Sequence, residues 1–532
     1  MTTESCTSAA WPARRRPATD RPAGAPRPES PAVRRRRWSC LPTVSLHPTT
    51  PGGASAPPDA SPLRRAEPSH GTLRAVARSA RLSARSAWRP AVEIGLAILG
   101  VALLFRRIPL PGGLDFGYRS WARNVALLVL VGTLAGAPGV VLARSRIAAA
   151  LLGLTLVATA SVVSAGGRTT AVSTLWVALG VFHAARAVAT DERGRVRLLH
   201  GLGLLCVAVL ARELWHEPLL LLLREERRHA LVTDHPNTLG FAMALLVPVL
   251  LGAAARRHLR AAACLYAAAG SAVLLATFSR AAWLALGGAV LALALATLSP
   301  RAGRGHLRGK RPSSRARVEI AALAALVLLL AAGMLSRDRA GGDAQRLRIL
   351  DTSWSIFLEH WPLGVGFGSG NLELHFPARY LERHGESLFL FHSHDLYLDV
   401  LTGAGVAGGI AALALLTSLA RVAWQGLAAA THRAARLEAA GHATALGVFL
   451  LLGLVDTPLY HGRLLLLTVV LWAMLDASTE CAVRSHEPKN AASSHARAGD
   501  EPDAAERRRR HRPCWSTRQT RVRPRTATTD GP

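Results

Sequence analysis

Residues Arg346–Gly409 read RLRILDTSWSIFLEHWPLGVGFGSGNLELHFPARYLERHGESLFLFHSHDLYLDVLTGAGVAGG, and they form the one long polar interruption of an otherwise apolar region. Arg346 and Arg348 stand at its beginning, and His394 lies near its end, where an apolar run begins. Its middle, Trp361–Gly368, predicts a tight turn, because glycine adopts backbone conformations that other residues avoid. We expect this turn to fold the polar stretch back onto a membrane surface.

The composition indicates a membrane protein with basic tails. Half of the 532 residues are hydrophobic and the mean hydropathy is +0.23, yet the formal net charge is +30. Few soluble proteins combine these values, whereas a polytopic membrane protein with basic loops does. We predict disordered, basic cytoplasmic tails at residues 1–87 and 479–532, around a membrane domain at 88–478. The six cysteines are scattered without the spacing of a disulfide framework or zinc site, so we expect no metal.

Apolar runs of roughly membrane-spanning length follow one another from Ala91 onward. Lipid offers no partner for free backbone groups, so these runs must be helical. We therefore predict an all-α polytopic fold with about twelve transmembrane helices and one large extracytoplasmic loop at residues 336–395. The predicted spans are Ala91–Phe105, Val125–Ala143, Ile147–Ala165, Ala171–Thr190, Leu198–Ala211, Thr238–Ala255, Ala261–Phe278, Ala281–Leu298, Ile320–Leu335, Leu396–Leu419, Ala443–Val455 and Leu464–Asp476.

The placement of arginine predicts the orientation. Positively charged short loops stay in the cytoplasm, and with a cytoplasmic N-terminus all but one of the arginine-rich loops fall there. The exception is Arg106–Arg123. This register puts Asn237, Ser279–Arg280, residues 336–395 and His461 on the outer side, where no ATP is available. The energy for any reaction must therefore arrive with the substrate. The predicted cytoplasmic loops are Arg144–Arg146, Asp191–Arg197, Arg256–Arg260, Arg301–Arg317 and Arg421–Arg436.

Two residue types in this outer layer suggest phosphate and hydroxyl chemistry. Arg280 lies between two apolar runs with almost no loop, where a charge is costly unless it reaches the interface or is used. The forked guanidinium matches phosphate geometry. His394 carries an imidazole, a group that ordinarily changes charge near neutral pH and can accept a proton from a sugar hydroxyl. Gly405 and Gly409 have GxxxG spacing, which predicts close approach of a neighbouring helix that positions His394.

Residues 230–415 resemble the O-antigen ligase/polymerase family of membrane glycosyltransferases. The family's ligase signature is a histidine, then Asn, Ser or Gln, then nine residues, a glycine, two residues, and Gly, Thr or Tyr. His394 keeps the spacing with Gly405 and Gly408, but Asp395 departs at the second position; an alignment on His392 fits Ser393 and fails at Val406. The matching motifs are His235–Gly240 (HPNTLG), Thr277–Arg280 (TFSR), Pro362–Gly366 (PLGVG) and His394–Asp395 with Gly405 and Gly408.

The resemblance implies a metal-independent, inverting glycosyltransferase without a cofactor, in the bacterial inner (cytoplasmic) membrane. It would transfer a glycan from undecaprenyl pyrophosphate to a hydroxyl of a glycan, lipid or protein acceptor on the extracytoplasmic face, in cell-surface polysaccharide biosynthesis. By motif position His394 would be the general base, and Arg280 with one of Arg346 or Arg348 would bind the pyrophosphate. No nucleic-acid partner is expected. The supporting residues would be Asn237, Ser279, Asp395, Gly405 and Gly408.

Two other functions remain as alternative predictions. A polytopic transporter or flippase for an anionic or lipid-linked substrate would place charges near the middle of its spans. The sequence offers few such residues, with Glu93, Arg186 and Asp399 as the candidates. A membrane scaffold would depend on its basic tails binding anionic lipid. Ligase and polymerase are not separated by the sequence, because they share the donor and differ in the acceptor.

Overall fold

The computed structural model describes residues 92, 107–109, 115–117, 145–216, 236–298, 342–390, 392–459 and 461–486. These residues form eleven α-helices and one antiparallel pair of three-residue strands, β1 (Arg107–Pro109) and β2 (Asp115–Gly117). The helices are α1 (Arg146–Ser164), α2 (Thr170–Ala189), α3 (Glu192–His216), α4 (Pro236–Ala253), α5 (Arg260–Ala276), α6 (Arg280–Leu298), α7 (Gly342–Glu359), α8 (Ser369–His384), α9 (Leu396–Ala429), α10 (Arg433–Gly453) and α11 (Gly462–His486).

Seven of the described helices, namely α1 to α4 and α9 to α11, are long and apolar enough to cross a membrane. The apolar stretches Arg260–Ala276 in α5 and Arg280–Ala294 in α6 are shorter. All nine overlap spans predicted from the sequence, so the helical membrane class is confirmed. The predicted spans Ala91–Phe105 (apart from Val92), Val125–Ala143 and Ile320–Leu335 lie outside the described residues, as do residues 1–87 and most of 479–532. The count of twelve therefore stays a prediction.

The predicted loop Arg421–Arg436 is wrong. Helix α9 continues to Ala429 and α10 begins at Arg433, so only three residues connect the two helices. The prediction ended each span where the apolar run stops. Helices extend further here because long arginine side chains can cover apolar surface with their stems while the charge stays in water.

Contacts along α4 show which helix ends lie together. A Cβ added to Gly240, near the start of α4, would lie 2.7 Å from the Cβ of Ser279, just before α6. A Cβ added to Gly252, near the end of α4, would lie 2.8 Å from the carbonyl oxygen of Leu437 in the first turns of α10. Helix α10 therefore begins at the end of the bundle opposite Ser279 and runs back to the end where Ser279 lies.

The start of α9 lies beside the end of α10, because the hydroxyl of Tyr397 donates to the carbonyl of Leu450 at 2.8 Å. Arg280 and His394 consequently lie at the same end of the helix bundle, which we call the site end. The opposite, far end carries the buried ion pair between Arg256 and Glu438. This placement agrees with the sequence-based expectation that Arg280 and His394 share one side.

The predicted turn in the middle of the polar stretch docks into a break in α9. Gly405 has φ 63° and ψ −164°, which interrupts the helix and leaves backbone groups without intrahelical partners. The turn supplies the partners: Val406 N donates to the carbonyl of Trp361 at 2.8 Å, and Val365 N donates to the carbonyl of Thr402 at 3.0 Å. The polar stretch is therefore anchored on α9 by backbone hydrogen bonds.

The predicted GxxxG helix contact is wrong. A Cβ added to Gly405 would overlap the backbone of Pro362 in the docked turn, not a neighbouring helix. At Gly408 and Gly409 the nearest atoms to an added Cβ belong to side chains of α9 itself. At the break Gly405 has a positive φ and faces the docked turn. The GxxxG prediction assumed a regular helix, in which Gly405 would face a neighbouring helix.

The rest of the polar stretch folds into α7 and α8, which share a small core of their own. An ion pair on the surface reinforces it, since Arg383 binds both carboxylate oxygens of Asp351 at 2.8 and 2.9 Å. Asn371 in α8 accepts a hydrogen bond from Arg168 N at 2.5 Å and so ties α8 to the α1–α2 connection. The core consists of Ile349, Ile356, Val365, Leu372, Phe376 and Tyr380.

Candidate functional site

His394 has an unusual backbone conformation at the start of α9. Its φ of 59° lies in the left-handed region, which non-glycine residues seldom adopt. Asp395 follows as the helix cap, with its side chain accepting a hydrogen bond from Leu398 N at 2.8 Å. On the other side, Ser393 N donates to Asp399 at 2.7 Å. The conformation of His394 is therefore imposed from both sides, as is common for residues in functional sites.

Asp395 caps the start of α9. Burial raises the pKa of its carboxyl, and hydrogen bonds from the backbone of Leu398 and Tyr397 act in the opposite direction. Its carboxylate oxygen is occupied by the α9 cap.

The buried carboxylate of Asp399 joins two segments of the site end. One oxygen accepts from Ser393 N at 2.7 Å, and the other accepts from the hydroxyl of Thr457 at 2.5 Å. Thr457 belongs to the connection between α10 and α11. Asp399 was a sequence candidate for a charge inside a span, but it lies in the first turn of α9 and holds that connection against the His394 segment.

A row of three histidines and one carboxylate runs outward from His394. The ring centroids of His394 and His392 lie 4.3 Å apart, and those of His392 and His461 lie 5.9 Å apart. His461 Nε2 is 3.7 Å from Asp456 Oδ1. Although burial raises the pKa of Asp456, the electrostatic attraction of His461 and His392 outweighs it and lowers the pKa to about 2.

Sequence reasoning missed most of this row. It placed His461 on the outer side without a role, and it did not single out Asp456. The available signal was the segment Asp456–His461 (DTPLYH), which brings a carboxylate and an imidazole together between two spans. Its proximity to His392 depends on the packing of α9 against α10 and could not be read from spacing.

Arg280 is the first residue of α6 and is partly buried. The preceding residue, Ser279, is fully buried, and its side chain packs against Gly240 of α4, which has no side chain to obstruct it. Asn237 lies half-buried in the first turn of the same α4. Gly240 of the HPNTLG motif therefore meets Ser279 of the TFSR motif at the site end.

The two arginines at the start of the polar stretch differ in their surroundings. Both lie exposed in the first turns of α7. Arg348 donates to Glu386 at 3.0 Å. Arg346 forms no salt bridge with any residue that the structure describes. Positions two apart on a helix point about 200° away from each other, so the two side chains face different directions.

A cleft of about 460 Å³ lies between α7 and the start of α9, beside the His394 segment. Its walls are mostly apolar, and Trp354, with 48% of its surface exposed, offers a flat face. Such a surface suits a sugar ring or a lipid chain. The cleft is lined by Leu350, Asp351, Trp354, Asp395, Tyr397, Leu398 and Leu401.

A sequence profile of the O-antigen ligase family matches residues 265–413. The matched segment begins within α5 and ends within α9, so it includes Arg280, Arg346, Arg348 and His394. No curated protein is detectably similar to the chain. The resemblance to the O-antigen ligase/polymerase family is thus confirmed over residues 265–413, a segment that contains Arg280 and His394; Asn237, Asp456 and His461 of the site end lie outside it.

Proposed function

We propose that this chain is a glycosyltransferase that moves a glycan from undecaprenyl pyrophosphate to an acceptor hydroxyl at the extracytoplasmic face of the bacterial inner membrane. The observation that carries the proposal is the position of Arg280 and His394 at the same end of the bundle, within the segment that matches the O-antigen ligase family. The far end supports the orientation, because arginines 256, 257 and 260 lie there and positive loops stay in the cytoplasm.

In the proposed reaction the acceptor oxygen attacks the anomeric carbon and transfers its proton to the imidazole of His394. The bond from that carbon to the pyrophosphate oxygen breaks, and its electron pair leaves with the pyrophosphate. Attack from the face opposite the leaving group inverts the anomeric configuration. A positioned general base typically contributes about 10²- to 10⁴-fold in rate. No metal and no cofactor takes part.

Cationic side chains stabilise the negative charge that develops on the pyrophosphate. Arg280 is the first such residue, since its position at the start of α6 places its charge at the site end. We assign the second to Arg346, because Arg348 is engaged with Glu386. Preorganised groups of this kind typically contribute about 10²- to 10³-fold each.

The supporting residues act through the backbone and the packing. Asp395 fixes the start of α9 and so positions His394. Gly405 admits the docked turn, and Gly408 lies one helical turn further along α9. Ser279 packs at Gly240 and so sets the start of α6 against the start of α4, where Asn237 lies in the first turn.

The test is complementation of a strain that lacks the gene, with surface glycans and lipid-linked glycans as the readouts. Arg280→Ala and His394→Ala should insert normally and fail to restore the glycan. Arg260→Ala is the matched control, because Arg260 also begins an apolar helix but lies at the far end. Full complementation by both site variants would refute the assigned roles. In the deletion strain, single repeats still attached to the surface indicate a polymerase, and accumulated lipid-linked polymer indicates a ligase.

A further inference from the structure

We propose that His392, Asp456 and His461 form a binding site for a divalent transition-metal ion of the zinc class. Each residue offers one ligand atom, and these atoms all lie within 4.8 Å of one another. Imidazole nitrogen and carboxylate oxygen are ligands that zinc takes in proteins. None of the three residues has a part in the proposed transfer, so the site adds to that function.

The separations of the ligand atoms are close to those of a bound ion. Bonds of about 2.0–2.2 Å in tetrahedral geometry put neighbouring ligand atoms roughly 3.3–3.6 Å apart. His461 Nε2 and Asp456 Oδ1 are already 3.7 Å apart. Small rotations of the two partly exposed imidazoles are enough to bring the most distant pair of ligand atoms, at most 4.8 Å apart, to the distance found around a bound ion. Three protein ligands leave the fourth position for water.

The hydrogen bonds behind the ligands resemble the supporting shell of a metal site. Thr457 N donates to Asp456 Oδ1 at 2.7 Å and orients this carboxylate. The hydroxyl of Thr457 and the backbone N–H of Ser393, the neighbour of His392, both donate to Asp399. One buried carboxylate thus fixes both segments that carry ligands. Such outer partners orient metal ligands, and their loss typically weakens binding about 10- to 100-fold.

Ion binding at His392 also affects His394. His392 Nδ1 accepts a hydrogen bond from His394 N at 3.3 Å. A neutral imidazole has only one nitrogen with a free lone pair, so it cannot hold an ion and accept this bond together. The ion therefore replaces a contact that helps to hold His394 in its left-handed conformation. If the proposed transfer holds, bound zinc slows it.

Zinc binding is measured by calorimetry on the purified full-length chain, without a polyhistidine tag and after treatment with a chelator. The Asp456→Asn and His461→Gln variants should each bind one zinc ion fewer than the wild type, or bind that ion more than about 100-fold more weakly. A loss of that size exceeds the roughly 10- to 100-fold loss of affinity expected when only an outer hydrogen-bond partner is removed. His258→Gln, which changes an exposed histidine at the far end, should match the wild type. Magnesium should not compete, because it prefers oxygen ligands in octahedral geometry.

A second pair of variants tests the site without removing a ligand. Thr457→Val removes the hydroxyl bond to Asp399 but keeps the backbone bond to Asp456, so it should weaken zinc binding by no more than about 10-fold. Thr457→Ser, which keeps the hydroxyl, should bind zinc as the wild type does. Equal zinc binding by the wild type and all ligand variants, or none by the wild type, would overturn the site. Zinc binding through these residues by a chain without transferase activity would instead contradict the proposed function and leave the metal site standing.

Discussion

Replacement of Gly405 by alanine tests the docking of the turn at Trp361–Val365 against α9. The backbone there has φ 63° and ψ −164°, a region almost confined to glycine, and forcing another residue into it costs about 1–3 kcal/mol. The new Cβ would also overlap the backbone of Pro362 and push the turn away. That displacement breaks the hydrogen bonds of Val406 N and Val365 N, which contribute about 1 kcal/mol each. We expect the docked state to lose roughly 3–5 kcal/mol in all.

Hydrogen exchange measured by mass spectrometry reports the loss of stability of the docked state directly. Because about 1.4 kcal/mol corresponds to a tenfold change in an equilibrium constant, exchange of the amides of Val365 and Val406 should accelerate by at least about 100-fold. Gly153→Ala in α1 is the control, since nothing lies within 4 Å of an added Cβ there, and its exchange should stay unchanged. Equal protection of Val365 and Val406 in the wild type and in Gly405→Ala would refute the reasoning.

Two further predictions concern arginines. Arg346→Ala should lower the transfer rate by about 100-fold, because it removes a cation assigned to the pyrophosphate. Arg348→Ala should change the rate less than about twofold, because Arg348 binds Glu386 and is assigned no contact with the pyrophosphate; the reverse order in a transfer assay would assign the pyrophosphate to Arg348. Arg256→Met should lower the free energy of unfolding by about 3–5 kcal/mol, because Glu438 stays buried without its partner, and Arg256→Met with Glu438→Leu should recover most of it. Thermal unfolding in detergent measures both, and a double variant as unstable as the single one would contradict this account.

The helices could be predicted because the membrane leaves little choice. An apolar run of sufficient length in lipid has to be helical, so the runs beginning near Ile147 and Thr238 gave the positions of α1 and α4. The bounds failed where polar residues continue a helix beyond the apolar run, as at Arg421 in α9 and Arg436 in α10. Such ends depend on backbone hydrogen bonding and packing, which hydropathy does not measure.

The candidate site was predictable only in part. Arg280 and His394 stand out because a charge and an imidazole interrupt or flank apolar sequence, and alternating spans put them on one side. The break at Gly405 was missed, because it depends on a turn more than 35 residues earlier in the chain. The pairing of His392 with His461 was missed for the same reason. Both features arise from tertiary contacts and have no local sequence period.

The most direct measurement of the central claim is the labelling of single cysteines by a membrane-impermeant maleimide, in a background from which the six native cysteines have been removed. Cysteines at positions 280 and 394 should both react from the extracytoplasmic side, and a cysteine at position 260 should react only after the membrane is permeabilised. Protection of both site positions by a lipid-linked pyrophosphate would place the substrate between them. Reaction of positions 280 and 394 from opposite sides of the membrane would contradict the account.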